Sequence, residues 1–199
     1  NVIILPLTCD VQIKESVRHA FDECYKVLGS IDILIANAGI SLSSPSHTFN
    51  SSLYKTTFDT NVMGAIYCFE CVIPKMCERG SGQIVAISSL ASYSGLPEAG
   101  AYCASKAALS TIMDSMRLDL KKRGLTITLI NPGFIKTPLT ARNKYYMPFL
   151  MSLKQGARTI FKAIQSKKTI YAFPWPLALM VRCLRLLPTP IFDLLLQNR

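Results

Sequence analysis

Glycine is absent before position 29, and Gly29 is the first of ten in a chain of 199 residues. The early part of the chain therefore lacks a glycine-rich turn of the kind that cradles a phosphate group at a helix N-terminus. Histidine is scarce, with two residues, and Cys68 and Cys71 form an isolated C-x-x-C pair with no second pair and no histidine nearby. We therefore expect no metal site, and we interpret these two cysteines as small buried hydrophobes.

Acidic residues are almost missing from the last third of the chain. Asp193 is the only one of the 12 Asp and Glu residues after position 138, whereas ten of the 22 Lys and Arg residues lie there. An anionic membrane surface or an acidic substrate would attract such a segment, and a solvated basic face is the alternative. The basic residues are not interleaved with aromatic residues, so we expect no nucleic-acid partner.

Long apolar runs are also missing. The apolar stretch from 177 to 187 is interrupted by Arg182 and Arg185 and is too short to cross a bilayer. The seven cysteines are scattered and odd in number, which is typical of a reducing compartment. We therefore expect a cytoplasmic location, with contact between 173–199 and the periphery of a membrane as an open alternative.

Short apolar runs alternate with helical patterns along the chain. Strands are predicted at 2–7, 31–36, 83–88, 125–130 and 169–172, and helices at 10–28, 52–77, 100–120 and 152–165. This alternation predicts an α/β fold with a doubly wound parallel sheet. We assign this domain to 1–172, with a mobile lid at 139–150, and we assign 173–199 to an apolar and basic helical extension.

Tyr102 and Lys106 lie one turn apart on a predicted helix, so a phenol and an ammonium group share one face. The pKa of an unperturbed tyrosine is about 10, and a nearby cation lowers this pKa by favouring the phenolate. A tyrosine with a lowered pKa can donate or accept a proton near neutral pH. The alternative for a bare Tyr-x-x-x-Lys is a solvated surface pair. The surrounding residues must therefore distinguish a catalytic pair from a surface pair.

Polar and small residues follow the other predicted strands, where open α/β sheets bind ligands. They form an ordered set with the Tyr102 helix: Asn37-Ala38-Gly39, Asn61-x-x-Gly64, Ser89, Tyr102-x-x-x-Lys106 and Pro132-Gly133-x-x-x-Thr137. In this order and spacing, the motifs resemble those of the classical short-chain dehydrogenase/reductase family. The resemblance covers Asp10 to Thr137 and implies a Rossmann-like doubly wound sheet.

The resemblance also implies a role for each matching residue. Tyr102 would be the catalytic acid and base, and Lys106 would lower the pKa of Tyr102 and contact the nicotinamide ribose. Ser89 would orient the substrate oxygen, and Asn61 would hold a water in a proton relay that ends at Lys106. The cofactor-binding residues implied are Asp10, Val11, Asn37, Ala38, Gly39, Tyr102, Lys106, Pro132, Gly133, Ile135 and Thr137.

The sequence departs from the family in one respect. The family pattern begins with a strand, a glycine-rich turn and a second strand whose end selects NAD or NADP, and none of these precedes Asp10. We therefore expect an N-terminally truncated fragment with a gap in the sheet between 2–7 and 31–36. The cofactor, NAD or NADP, stays undecided, and we expect this chain by itself to bind a dinucleotide poorly or not at all.

The resemblance implies an NAD(P)-dependent oxidoreductase that interconverts an alcohol and a ketone or aldehyde. The alternative is a truncated, non-catalytic product that binds a membrane or a protein partner through 173–199. That tail could lie in a membrane interface, cover the substrate pocket or pack against another subunit. The partners implied are a small carbonyl or alcohol substrate, with a weak indication that it is hydrophobic, and further copies of the chain.

Overall fold

The computed structural model describes residues 2–143 and 145–197, and its described part contains a parallel sheet with helices on both faces. The strands lie side by side in chain order: β1 (Ile33–Ala36), β2 (Gly82–Ile87), β3 (Leu125–Pro132) and β4 (Ile170–Phe173). In the register, Ala36 lies beside Ala86, and Ile87 lies beside Ile130. The predicted α/β fold is confirmed, and all four strands end at the same edge of the sheet.

The helices follow the predicted alternation: α1 (Lys14–Leu28), α2 (Ser51–Phe58), α3 (Gly64–Arg79), α4 (Gly100–Leu120), α5 (Leu153–Gln165), α6 (Trp175–Arg185) and α7 (Thr189–Gln197). A π-helical turn, Asp59–Met63, joins α2 to α3, so the single helix predicted at 52–77 is a continuous helical path with one wider turn. Such turns are frequent at functional sites. No helix in the described ranges is long and apolar enough to cross a membrane.

The side chains of the central strands alternate between two apolar layers, as period-2 geometry requires. Ile84 and Ala86 of β2 face the layer that α3 and α4 cover, whereas Val85 faces the layer that α5 covers. Cys68 of α3 packs at the border of the first layer, and burial raises the pKa of its thiol to about 11. This thiol therefore stays protonated at neutral pH and behaves as a small hydrophobe.

Two predictions for the start of the chain are wrong. Val2–Leu7 form no strand, and Val2 and Ile4 are 89% and 83% exposed, because no described backbone segment pairs with them. Apolar side chains alone do not make a strand without a partner that accepts its backbone hydrogen bonds. Helix α1 begins at Lys14 instead of Asp10, because Asp10 starts a turn in which its carboxylate accepts from the Gln12 N–H.

The C-terminal extension packs onto the sheet domain. Leu177 and Ala178 of α6 are buried against Leu90, which follows β2. The division into 1–172 and 173–199 stays a prediction, and Lys144 of the proposed lid and residues 198–199 of the extension lie outside the described residues.

Gly124 immediately precedes β3, and we expect its replacement by alanine to destabilise the fold strongly. Its φ is +78°, and a Cβ there would lie 2.9 Å from the Gly80 carbonyl carbon. Gly29→Ala is the matched control, because Gly29 has a φ of +75° but no atom within 4 Å of a built Cβ. We expect a loss of about 1–2 kcal/mol for Gly29→Ala and roughly 3 kcal/mol or more for Gly124→Ala in urea unfolding. Equal losses would show that the contact with Gly80 has no effect.

Candidate active site

The predicted functional segments meet at the carboxyl edge of the sheet. Asn37–Gly39 follow β1, Ser89 lies two residues after β2, and Gly133 follows β3. Because the strands are parallel, these segments lie beside one another, and the N-terminal turns of α4 contribute Tyr102 and Lys106 to the same edge.

Tyr102 and Ser89 both line the wall of one cavity of about 160 Å³, and the nearby Ser89 side chain lowers the pKa of the Tyr102 phenol. Ser89 is the N-cap of a short 3₁₀ helix, Leu90–Tyr93, and its hydroxyl oxygen also accepts from the Ala91 N–H at 3.1 Å. The cap restrains the serine side chain on the cavity wall that Tyr102 also lines. A carbonyl oxygen bound between the two side chains could accept a hydrogen bond from each hydroxyl.

Lys106 is buried, with 4% of its surface exposed, and its Nζ donates to the Ile87 carbonyl at 2.8 Å. The same Nζ lies 5.9 Å from the centre of the Tyr102 ring. Burial lowers the pKa of Lys106 from its usual 10.5 to about 8. Lys106 therefore remains largely protonated at pH 7 and supplies a positive charge beside Tyr102.

Asn61 lies in the π-helical turn and is 1% exposed. Its amide pairs with the backbone of Ile40, donating to the carbonyl at 2.9 Å and accepting from the N–H at 2.8 Å. Its Nδ2 also contacts the Ser105 hydroxyl at 2.9 Å, and that hydroxyl donates to the Tyr102 carbonyl. Asn61 thus ties the segment after β1 to α4, and Ser105 is a linking residue that the sequence motifs did not identify.

Gly39 lies where Asn61 and Lys106 meet. A Cβ at this position would lie 3.3 Å from both Asn61 Oδ1 and Lys106 Nζ. The four side chains predicted to be catalytic therefore lie in one region, in which Ser89 and Tyr102 line the same cavity wall, and Asn61 and Lys106 approach each other across Gly39. Their chemical roles stay predictions.

The pKa of Tyr102 is raised, which is opposite to the direction predicted from the neighbouring lysine. Burial is the largest cause, and it outweighs the hydrogen bond from Ser89, which lowers the pKa. The ammonium of Lys106 is directed at the Ile87 carbonyl and is itself disfavoured by burial. In this structure Tyr102 is therefore a neutral phenol at physiological pH, a form suited to donating a proton.

The edge beside this cluster fits a dinucleotide of the NAD type. Asn37, Ala38 and Gly39 are exposed, and the missing side chain of Gly39 keeps the space next to the buried Lys106 ammonium accessible. Gly133 contributes to the cavity wall, and Pro132 is buried at the end of β3. An exposed backbone segment beside a buried cation could hold the ribose of such a ligand.

Other predicted cofactor residues have structural contacts of their own. Val11 packs on Gly64, where a Cβ would come within 2.9 Å of it, and Asp10 forms the exposed turn before α1. The Ile135 side chain contacts Gly156 of α5 and does not line the cavity, and Thr137 forms a backbone and side-chain turn with Thr140. Any contact of these residues with a cofactor stays a prediction.

The C-terminal helices form part of the cavity wall. Its walls also include Phe134 and residues of the proposed lid, among them Tyr145. The contributions of α6 and α7 are Leu177, Met180, Val181, Leu184 and Phe192. Of the three roles considered for the tail, the structure shows that it covers the pocket, whereas contact with a membrane or with another subunit stays a prediction. The apolar spacing of the tail indicated a buried face, but only the tertiary contacts show that it faces the cavity.

The family model of the short chain dehydrogenases matches residues 1–146. The chain belongs to this family. An uncharacterized oxidoreductase of Myxococcus xanthus is 38% identical to this family member over 193 residues, which are 97% of this chain and 76% of that protein. The structure of a short-chain type dehydrogenase/reductase of Mycobacterium marinum superposes on this chain with a TM-score of 0.77 at 24% sequence identity. The superposition covers 84% of this chain and 73% of that chain.

A gluconate 5-dehydrogenase of Burkholderia cenocepacia, solved in complex with NADP and tartrate, is 30% identical in sequence, with a TM-score of 0.64. The match covers 68% of this family member and 54% of that chain. The predicted family is thereby confirmed, and the chain is an NAD(P)-dependent oxidoreductase by membership. The choice between NAD and NADP stays undecided.

We expect the buried Lys106 to make stability depend on pH. Its pKa in the folded state, about 8, is below its usual 10.5, so the unfolded chain binds more protons between these pH values. The unfolding free energy of the wild type should therefore rise with pH in this window, relative to Lys106→Met, by up to about 3 kcal/mol. Urea unfolding of both proteins at several pH values measures this difference in unfolding free energy. Contributions from groups that titrate alike in the two proteins cancel in the difference. A difference independent of pH would contradict the lowered pKa.

Proposed function

We propose that this family member interconverts an alcohol and a ketone or aldehyde, with Tyr102 as the proton donor and acceptor. The position of Ser89 and Tyr102 on one cavity wall carries the proposal, because it offers two neighbouring hydroxyl groups to a substrate oxygen. In the reducing direction, the Ser89 hydroxyl holds the carbonyl oxygen and the Tyr102 phenol protonates it. The hydride is the part of the chemistry that NAD(P)H supplies when it is bound.

Lys106 and Asn61 support this proton transfer. The Lys106 ammonium stabilises negative charge that develops on the phenol oxygen, and it contacts the nicotinamide ribose. Asn61 holds the segment after β1 against α4 and, by family resemblance, positions a water in the relay to Lys106. We assign the surrounding cofactor contacts to Asp10, Val11, Asn37–Gly39, Pro132, Gly133, Ile135 and Thr137.

We further propose that the substrate is uncharged and apolar. No Lys, Arg, Asp or Glu residue is among the described residues that line the cavity, and α6 and α7 supply apolar side chains. Burying a carboxylate or phosphate there would remove its hydration without providing a counter-charge. The polar groups near the reacting point, Ser89 and Tyr102, are sufficient for one carbonyl or hydroxyl oxygen.

The comparisons do not support the alternative of a non-catalytic binding module. Association with further copies of the chain, as in other family members, is part of the proposal by analogy only. Weak dinucleotide binding by this chain alone also stays a prediction, which titration with NADH and NADPH tests directly.

In a protein that also carries the strand and glycine-rich turn with which the family pattern begins, replacing Tyr102 by phenylalanine should reduce kcat by about 10²–10⁴-fold, because the proton donor is lost while the ring still fills its place. The affinity for NADPH or NADH should change little. The matched control is Tyr146→Phe, since the Tyr146 side chain is 83% exposed and does not line the cavity. Steady-state kinetics and a cofactor titration measure the two quantities, and turnover retained by Tyr102→Phe would count against the mechanism.

The proposed substrate class is tested with two ligands of equal chain length, 2-octanone and 7-oxooctanoate. We expect 2-octanone to bind at least about tenfold more tightly, because none of the described residues that line the cavity offers a counter-charge for the carboxylate. Ligand-observed NMR measures both dissociation constants without requiring turnover, so this result is independent of the Tyr102→Phe test.

A charge placed in the cavity should change this preference. Met180→Arg puts a cation on the cavity side of α6 and should reduce or reverse the difference between the two ligands. Leu179→Arg is the control, because Leu179 is 55% exposed and does not line the cavity. Equal binding of the two ligands to the wild type would overturn the proposed substrate class.

A further inference from the structure

Helix α6 has an apolar face toward the cavity and a second apolar face on the opposite side. Leu177, Val181 and Leu184 face inward and line the cavity. Trp175, Leu179 and Leu186 follow one another at spacings of four and seven, so they share the other face of the helix. A helix that only roofs a cavity needs the first face alone.

The outer face is exposed to solvent. Trp175, Leu179 and Leu186 are 73%, 55% and 84% exposed. Helix α7 repeats the arrangement, since Phe192 lines the cavity whereas Ile191, Leu194 and Leu195 are 48%, 66% and 50% exposed. Together these six exposed residues of α6, α7 and the link between them form what we call the outer face. Several large apolar side chains exposed on neighbouring elements are typical of an interaction site.

The charges around the outer face indicate its partner. Helix α6 carries Arg182 and Arg185 and no acidic residue, and Asp193 is the only acidic residue of α7. The Arg182 guanidinium is held by the Tyr93 hydroxyl at 3.1 Å, whereas Arg185 lies at the exposed end of α6. A twofold contact between copies through this face would bring these cations together with little acidic charge to balance them.

We propose that the outer face binds the surface of an anionic lipid bilayer, with α6 and α7 lying in the plane of the interface. Apolar side chains enter the acyl boundary, Trp175 lies at the headgroup level, and Arg185 contacts lipid phosphates. Helix α6, with 11 residues, is too short to cross the bilayer, and lying in the interface does not require it to do so. This placement sets the cavity directly behind the bound helices, and it does not depend on the proposed reaction.

Trp175 is the only tryptophan in the chain and therefore reports on this contact without labelling. We expect vesicles containing phosphatidylglycerol to shift the Trp175 emission to the blue, and we expect brominated lipids to quench it. Vesicles of phosphatidylcholine alone should bind more weakly, and high salt should weaken binding to the anionic vesicles by screening Arg185. Arg185→Gln should reduce binding to anionic vesicles by about fivefold.

A double variant separates this face from general surface hydrophobicity. Leu179→Asp with Leu186→Asp should reduce co-sedimentation with anionic vesicles by at least about tenfold. Val27→Asp with Leu28→Asp is the matched control, because these residues of α1 are 52% and 46% exposed and the charge change is the same. Light scattering gives the mass of each protein in solution.

Three results would overturn the proposal. The first is Trp175 emission that does not respond to anionic vesicles, and the second is an equal loss of binding in the α1 control. The third is a wild type that is oligomeric and that the Leu179 and Leu186 substitutions convert to a smaller species, since a second copy would then cover the outer face. Binding lost only in the α6 variants, with unchanged mass, supports it.

Discussion

The candidate site depends on the position of Ser89 beside Tyr102 on one cavity wall. Ser89 comes from the end of β2 and Tyr102 from the first turn of α4, and the cap at Leu90–Tyr93 sets the serine side chain. Asn61 reaches the same helix through Ser105. Parallel pairing of β1 with β2 therefore brings groups that are far apart in the chain to one point.

Burial is the second constraint, and it acts on both titratable groups in the same sense. It favours the neutral form, so it raises the pKa of the Tyr102 phenol and lowers that of the Lys106 ammonium. The short spacing of the two residues suggested the opposite direction for the tyrosine. A motif shows which groups are neighbours, whereas the depth at which they lie determines which of two opposing electrostatic effects is larger.

The C-terminal helices connect the site to the surface. Leu177 packs against Leu90, next to Ser89, so α6 supports the segment that carries Ser89 and also forms part of the cavity wall. The same helix exposes Trp175 and Leu179 on its other side. Cavity lining and the proposed membrane binding therefore lie on opposite faces of one element, and substitutions can separate them.

The sequence alone determined the alternation of strands and helices, the family, and the residues that gather at the carboxyl edge, because these follow from local spacing along the chain. The tertiary structure decided three things that depend on distant partners. Val2–Leu7 have the composition of a strand but no described neighbour to pair with. The pKa of Tyr102 depends on how deeply its side chain is buried. Which face of α6 is buried depends on its packing against Leu90. In each case the deciding contacts join residues that lie far apart in the chain. Their spacing along the sequence therefore does not predict them.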